Sequence, residues 1–234
     1  MIMVPIEEAL TFDDVTLVPK YSSVLPTQVN TEVELTRNLR LKIPLLSSAM
    51  DTVTESKMAI SVAKAGGIGV IHRNLNIKNQ ILEIRKVKRK KLIVGAAVGA
   101  GPQEIKRAEA ILKENINLIV VDTAHGHTKK VAEIIKKIKK IKSKKTTLCA
   151  GNIATAEAAK FLINLGVDIV KVGIGPGSIC TTRLVAGIGV PQLSAILEVR
   201  KKLKSNKVKI ISDGGIKFSG DIAKALAAGA DAVM

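Results

Sequence analysis

Cys180 is the residue of this chain best placed for covalent chemistry. It follows a stretch, Gly173 to Ser178, in which three glycines and a proline fall within six residues. Glycines let the main chain bend tightly. Backbone N–H groups exposed in such a turn lower a thiol pKa and favour the nucleophilic thiolate. That makes Cys180 a candidate nucleophile. The other cysteine, Cys149, lies in the apolar run TTLCAGN and reads as a packing residue. Two cysteines form no disulfide framework.

The glycines have more than one use. In Gly173, Gly175 and Gly177 the third glycine comes one residue too early for the dinucleotide pattern G-x-G-x-x-G, and no helix opens directly after it. Such a loop brings backbone close to a ligand, or turns its carbonyls toward a hard cation such as K⁺. Asp213-Gly214-Gly215 closes another apolar run. Its carboxylate could accept from sugar hydroxyls and its glycine N–H groups could donate to phosphate. A tight turn with a helix cap explains the same residues. Asp122 ends LIVVD and could accept from a ribose. His125 and His127 stand two apart, with no Cys/His cluster to complete a metal site. His72 either lines a pocket or satisfies backbone groups.

These residues need a frame. Apolar runs at 43–49, 67–72, 92–98, 118–124, 146–152, 169–174, 208–214 and 230–234 read as eight strands. Amphipathic stretches at 54–65, 76–90, 102–115, 128–142, 155–165, 191–204 and 219–228 read as seven helices. Strict alternation means right-handed βαβ units and a parallel sheet. Eight steps favour a closed (βα)8 TIM barrel over an open doubly wound sheet. The candidate residues fall at the C-terminal ends of the strands, where such barrels hold their chemistry. The expectation is one partial barrel domain over residues 1–234, ending in strand eight. Without an eighth helix, the outer faces of strands eight and one are expected to lie uncovered.

Composition narrows the partners. The net charge is +17, but much of it is lysine on helical faces such as IIKKIKKIKSKK. Those faces read as solvated. With no Trp, one Tyr and three Phe, the chain lacks the stacking aromatics of single-strand nucleic-acid binders. A positive field would attract an anionic small substrate. The N-terminus lacks the basic start and apolar run of a leader, and no segment has the length of a membrane span. A cytoplasmic protein is expected.

Longer motifs carry a resemblance: LTFDDVTLVP (10–19), IPLLSSAMDTVTE (43–55), GGIGVIHRN (66–74), VVDTAHGH (120–127), AGNIAT (150–155), KVGIGPGSICTTRLVAGIGVPQ (171–192) and SDGGIKFSGDIAKALAAGADAVM (212–234). In this order they resemble the inosine-5′-monophosphate (IMP) dehydrogenase family, which includes GMP reductase. The segment LVAGIGVPQ is more similar to the dehydrogenase branch. The resemblance implies NAD-dependent oxidation of IMP to XMP in guanine nucleotide biosynthesis, through a covalent thioimidate on Cys180. It implies that Asn152 and Thr182 flank the reacting centre. Ser178 and Asp213 to Gly215 would hold the nucleotide, with Ser48 and Met50 lining its pocket. Asp122, Gly173, Ile174 and Gly175 would meet NAD. Gly175, Gly177 and Cys180 would hold K⁺. A complete family member is expected to be a homotetramer.

Two departures modify that expectation. The stretch KVKRKKLIVGAAVG (86–99) leaves no room for the paired CBS regulatory module usual between the second helix and third strand. The sequence also stops before the mobile flap and the glycines after strand eight, so little or no turnover is expected of these 234 residues. The rival readings are a GMP reductase, using NADPH on GMP, and a nonenzymatic basic nucleic-acid-binding remnant.

Overall fold

The computed structural model describes residues 7–203 and 207–234. The leader reading at residues 1–6 and the last residue of the helix expected at 191–204 lie outside them. A short hairpin, β1 (Val33–Thr36) and β2 (Leu39–Leu41), precedes eight parallel strands. These are β3 (Leu46–Ser47), β4 (Ile68–Ile71), β5 (Gly95–Val98), β6 (Leu118–Asp122), β7 (Thr147–Ile153), β8 (Ile169–Val172), β9 (Lys209–Ser212) and β10 (Ala232–Val233). They pair in chain order, and a parallel bridge between Leu45 and Val233 joins the last to the first. The sheet therefore closes into the expected (βα)8 barrel.

The helices are α1 (Ser56–Lys64), α2 (Ile77–Arg89), α3 (Pro102–Leu112), α4 (Lys129–Ile141), α5 (Ala156–Asn164), α6 (Thr182–Ala186), α7 (Gln192–Lys202) and α8 (Ser219–Ala227). All but α6 match expected helices. In α4, Val131, Ile134, Ile135 and Ile138 are buried and the lysines take the other face, so helical period alone sets its orientation. Side chains of Asn76, Thr128 and Thr155 accept from the backbone N–H three residues on, capping α2, α4 and α5. Such a cap stabilises by about 1 kcal/mol. No helix of the described residues is long and apolar enough to cross a membrane.

Strand alternation divides the core in two. Val120, Cys149, Ile169, Ile211 and Ala232 belong to one cluster, inside the barrel. Ile119, Val121, Leu148, Ala150 and Val170 belong to the other, between strands and helices. Cys149 is fully buried, and burial pushes its thiol well above the ordinary range.

The hairpin was not expected. Leu35, Leu39 and Leu41 join the inner cluster, plugging the N-terminal mouth of the barrel. Thr36 Oγ1 and Thr147 Oγ1 lie 2.8 Å apart, and Asn38 Nδ2 donates to the Lys144 carbonyl at 3.0 Å.

The expected exposure of strands eight and one is corrected. On the outer face Val233 is buried, and Leu45 is partly buried against the outer cluster. Helix α1 packs on β3 and α8 on β10. The N-terminal segment adds Phe12 to the outer core and is tied to α7 and α8. Leu10 N–H donates to Ser194 Oγ at 2.8 Å, and Lys224 Nζ donates to the Phe12 carbonyl at 2.8 Å.

Candidate functional site

At the C-terminal end of the barrel two lobes of one cavity meet. The first, about 270 Å³, is lined by Arg73, Asp122, Thr123, Lys171, Ile174 and Thr182 among others. The second, about 400 Å³, is lined by Pro176, Gly177, Ser178, Gly214, Gly215 and Lys217 among others. Ser48, Met50, Asn152, Gly173, Gly175, Cys180 and Asp213 border both. Every residue selected from the sequence as a site residue lines one lobe or both.

Cys180 is half-buried on the seam. Its Sγ lies 3.2 Å from Thr182 Oγ1, in the first turn of α6. Its thiol is held below the ordinary range, chiefly by hydrogen bonding to the Thr182 hydroxyl and then to the Thr182 backbone. Burial opposes these two effects, and smaller contributions from the Gly175 backbone and the charge of Arg183 add to them. Cys180 N–H donates to the Gly177 carbonyl at 3.1 Å, closing the turn that presents the sulfur.

Two glycine positions follow from sterics. A Cβ on Gly173 would fall inside the van der Waals envelope of the Asp213 carbonyl oxygen. Gly173 therefore lets the loops after β8 and β9 approach. Gly214 and Gly215 have φ of +89° and +78°, a backbone that L side chains rarely adopt. A Cβ on Gly214 would also sit 3.1 Å from Pro176 Cγ. The Gly214 N–H is engaged by the Met234 carbonyl at 3.2 Å, so this donor is already in use within the chain.

Sequence reading missed Lys171. Its side chain is buried, with Nζ 2.9 Å from Asp122 Oδ1 and in ion-paired contact with Asp213 Oδ2. Burial works to lower its pKa, but the two carboxylates outweigh this and hold the ammonium above its ordinary range. Asn152 Nδ2 donates to Asp213 Oδ2 at 2.8 Å and to the Gly173 carbonyl at 2.7 Å, while Asn152 Oδ1 is buried with no partner. One signal was available: Lys171 interrupts the apolar run IVKVGI on the same strand face as Ile169. Arg73, also missed, had no such signal beyond its place at a strand end.

None of the three histidines lines either lobe. His72 is buried, and its Nδ1 accepts from Asn74 N–H at 3.2 Å, with Nε2 3.5 Å from Glu55 Oε1. The His127 ring packs against Phe161 at a centroid distance of 4.6 Å, with His125 edge-on at 6.3 Å.

The model of the IMP dehydrogenase / GMP reductase domain matches residues 9–234. The chain belongs to this family. It is 47% identical to an inosine-5′-monophosphate dehydrogenase of Borreliella burgdorferi, over 97% of this chain and 69% of the relative. It is 44% identical to that of Cryptosporidium parvum, over 98% of this chain and 67% of the relative. With the Aquifex aeolicus protein of the same name it is 37% identical, over 98% of this chain and 73% of the relative. That last match runs over 357 residues although this chain has 234, so the relative carries additional residues within the matched span. In this family member α2 and β5 are joined directly through residues 90–94.

Proposed function

We propose that this chain is the catalytic barrel of an NAD-dependent IMP dehydrogenase, with IMP in the second lobe and along the seam, and the nicotinamide in the first. The observation that carries the reading is the place of Cys180. Its sulfur stands on the boundary of the two lobes, 3.2 Å from a hydroxyl that stabilises its thiolate.

In this reading Cys180 thiolate adds to C2 of the purine, forming a C–S bond. The C2 hydrogen then leaves with its electron pair, which oxidises the purine. NAD⁺, when bound, supplies the two-electron acceptor and becomes NADH. The product on the enzyme is a thioimidate on Cys180. Water then adds at C2 and gives up a proton to solvent, the C–S bond breaks, and XMP leaves with the thiolate restored. Thr182 donates to the sulfur whenever it carries charge, at the start and the end of the cycle. Asp213 accepts from the ribose hydroxyls of IMP, and Ser178 and Gly215 face its phosphate. Ser48 and Met50 line the nucleotide pocket, and Asn152 flanks the purine. The orphaned Oδ1 of Asn152 is a buried acceptor that a ligand donor would satisfy. Asp122 and Gly173 to Gly175 line the NAD side.

The carbonyls of Gly175, Gly177 and Cys180 fit K⁺. They are hard oxygen donors on one turn. The Gly177 carbonyl, which already accepts from Cys180 N–H, has a second lone pair to offer. The direct α2–β5 connection supports a single catalytic domain without a regulatory insertion there. In this reading the complete enzyme is a cytoplasmic homotetramer, with no CBS module at the α2–β5 junction. Following NADH absorbance of the full-length protein with IMP and NAD⁺ tests the assignment. NADPH-dependent loss of GMP, with no NADH from IMP, would reassign the chain to the reductase branch.

A further inference from the structure

Three charged residues stand in the top layer of the barrel interior: Asp122 at the end of β6, Lys171 on β8, and Asp213 just past β9. Alternation puts each above an inward apolar residue two positions earlier, Val120, Ile169 and Ile211. Strand β7 lies between β6 and β8, and there Gly151 pairs in register with both Asp122 and Lys171. A Cβ on Gly151 would stand 2.7 Å from Lys171 Cβ. The missing side chain clears the row, and Lys171 Nζ reaches Asp122 Oδ1 at 2.9 Å while also pairing with Asp213 Oδ2. The lysine side chain is 4% exposed; those of Asp122 and Asp213 are 26% and 17% exposed, at the cavity wall.

On the proposed function, Asp213 belongs to the substrate side and Asp122 to the cofactor side. We infer that Lys171 is a positioning residue: its ammonium clamps these two carboxylates together, so that each turns its remaining oxygen to its own ligand. The inference rests on that reading of the site. Asn152 extends the clamp to the cysteine loop by donating to both Asp213 Oδ2 and the Gly173 carbonyl. Without the ammonium, two carboxylates would be aimed at one buried point. Like charges so placed repel, and one must take up a proton or swing away. The other titratable groups around Lys171 are the neutral Cys149 on β7 beneath it, Asp168 beyond Cys149, and Arg73 and Cys180 on the cavity wall. None of these replaces a cation between the aspartates: Cys149 and Cys180 are thiols, and Arg73 makes no ion pair with either aspartate among the described residues.

The test measures IMP protection of Cys180 against iodoacetamide, with the half-protecting IMP concentration read at each pH. The unaltered chain sets the reference profile from about pH 6.5 to about pH 8.5, a range in which Cys180 ionises but ordinary carboxylates and lysines do not. Lys171→Met should weaken protection about tenfold, the cost expected for losing a charged hydrogen-bonding partner. The loss should be greater at the alkaline end, where no proton substitutes for the lysine. Lys171→Arg should recover most of the affinity. The double variant Asp122→Asn/Lys171→Met should also recover, with the pH profile of the unaltered chain, because the conflict between like charges is gone. Unchanged protection in Lys171→Met overturns the inference. So does a pH-independent loss that neither Lys171→Arg nor the double variant relieves, which marks a merely structural lysine. If Lys171→Met does not fold, the double variant decides: folded and protected by IMP supports the clamp, unfolded or unprotected refutes it. If the unaltered chain shows no protection by IMP at all, the proposed function fails, and this inference with it.

Discussion

Cys180 Sγ and Thr182 Oγ1 stand 3.2 Å apart, two residues along one turn, with the sulfur on the seam between two lobes of the cavity. The hydroxyl serves the sulfur in either protonation state, accepting from the thiol or donating to the thiolate. This local bond, more than any distant charge, holds the Cys180 pKa down.

The first prediction concerns that pKa. A lowered value keeps thiolate present at lower pH, so the rate of Cys180 alkylation should reach half its plateau at a lower pH than that of an ordinary exposed thiol. Thr182→Val should move the midpoint upward. The measurement is iodoacetamide labelling followed by peptide mass across pH. An unchanged midpoint in Thr182→Val would show that the hydroxyl does not tune the sulfur.

Gly173→Ala should damage the site more than the fold. The added methyl would collide with the Asp213 carbonyl, pushing the β8 and β9 loops apart. IMP protection of Cys180 should fall at least about tenfold, as expected when a buried hydrogen-bonding network is broken. Far-ultraviolet circular dichroism should change little. Normal IMP protection would mean that the loops tolerate separation.

The barrel plug can be tested by Leu39→Ala. Leu39 is 1% exposed within the inner core, and truncating such a leucine costs about 2–5 kcal/mol. Urea unfolding should show a lower midpoint with the same slope. A change under about 0.5 kcal/mol, the range of ordinary surface substitutions, would mean that the hairpin is dispensable to the core.

The pair of Arg85 and Glu114 should give stability a defined pH dependence. Arg85 donates to both Glu114 oxygens, at 2.9 and 2.8 Å, and this holds the Glu114 carboxyl below its ordinary range. Its folded pKa is lower than its unfolded one. The contribution is therefore full above the unfolded value of about 4.3 and fades as pH falls through the folded value. Arg85→Ala should lower the urea midpoint only slightly at neutral pH, since the arginine is exposed and water screens the pair, and by still less in acid. Equal losses at both pH values would contradict this origin.

The barrel was legible in the sequence because both of its periods are written locally. Runs such as LIVVD and IVKVGI mark strands, and the lysine-faced stripe of α4 marks a helix. The hairpin was not legible, since its leucines are explained by an inner core built from strands far along the chain. Helix α6 was hidden for a different reason: none of its five residues is buried, so it carries no apolar stripe to read. The cysteine loop and the DGG turn stood out through glycines whose sterics the structure explains. Lys171 did not, because its role depends on two carboxylates from other strands and on the empty side-chain position at Gly151. The packing of Phe12 likewise rests on contacts with helices near the other end of the chain.

The most direct test of the account is the mass of the chain after incubation with IMP and NAD⁺. The account predicts a covalent purine nucleotide on Cys180, formed together with NADH, and neither product in Cys180→Ala. An adduct formed equally well in Cys180→Ala, or NADH from IMP without any need for Cys180, would contradict it.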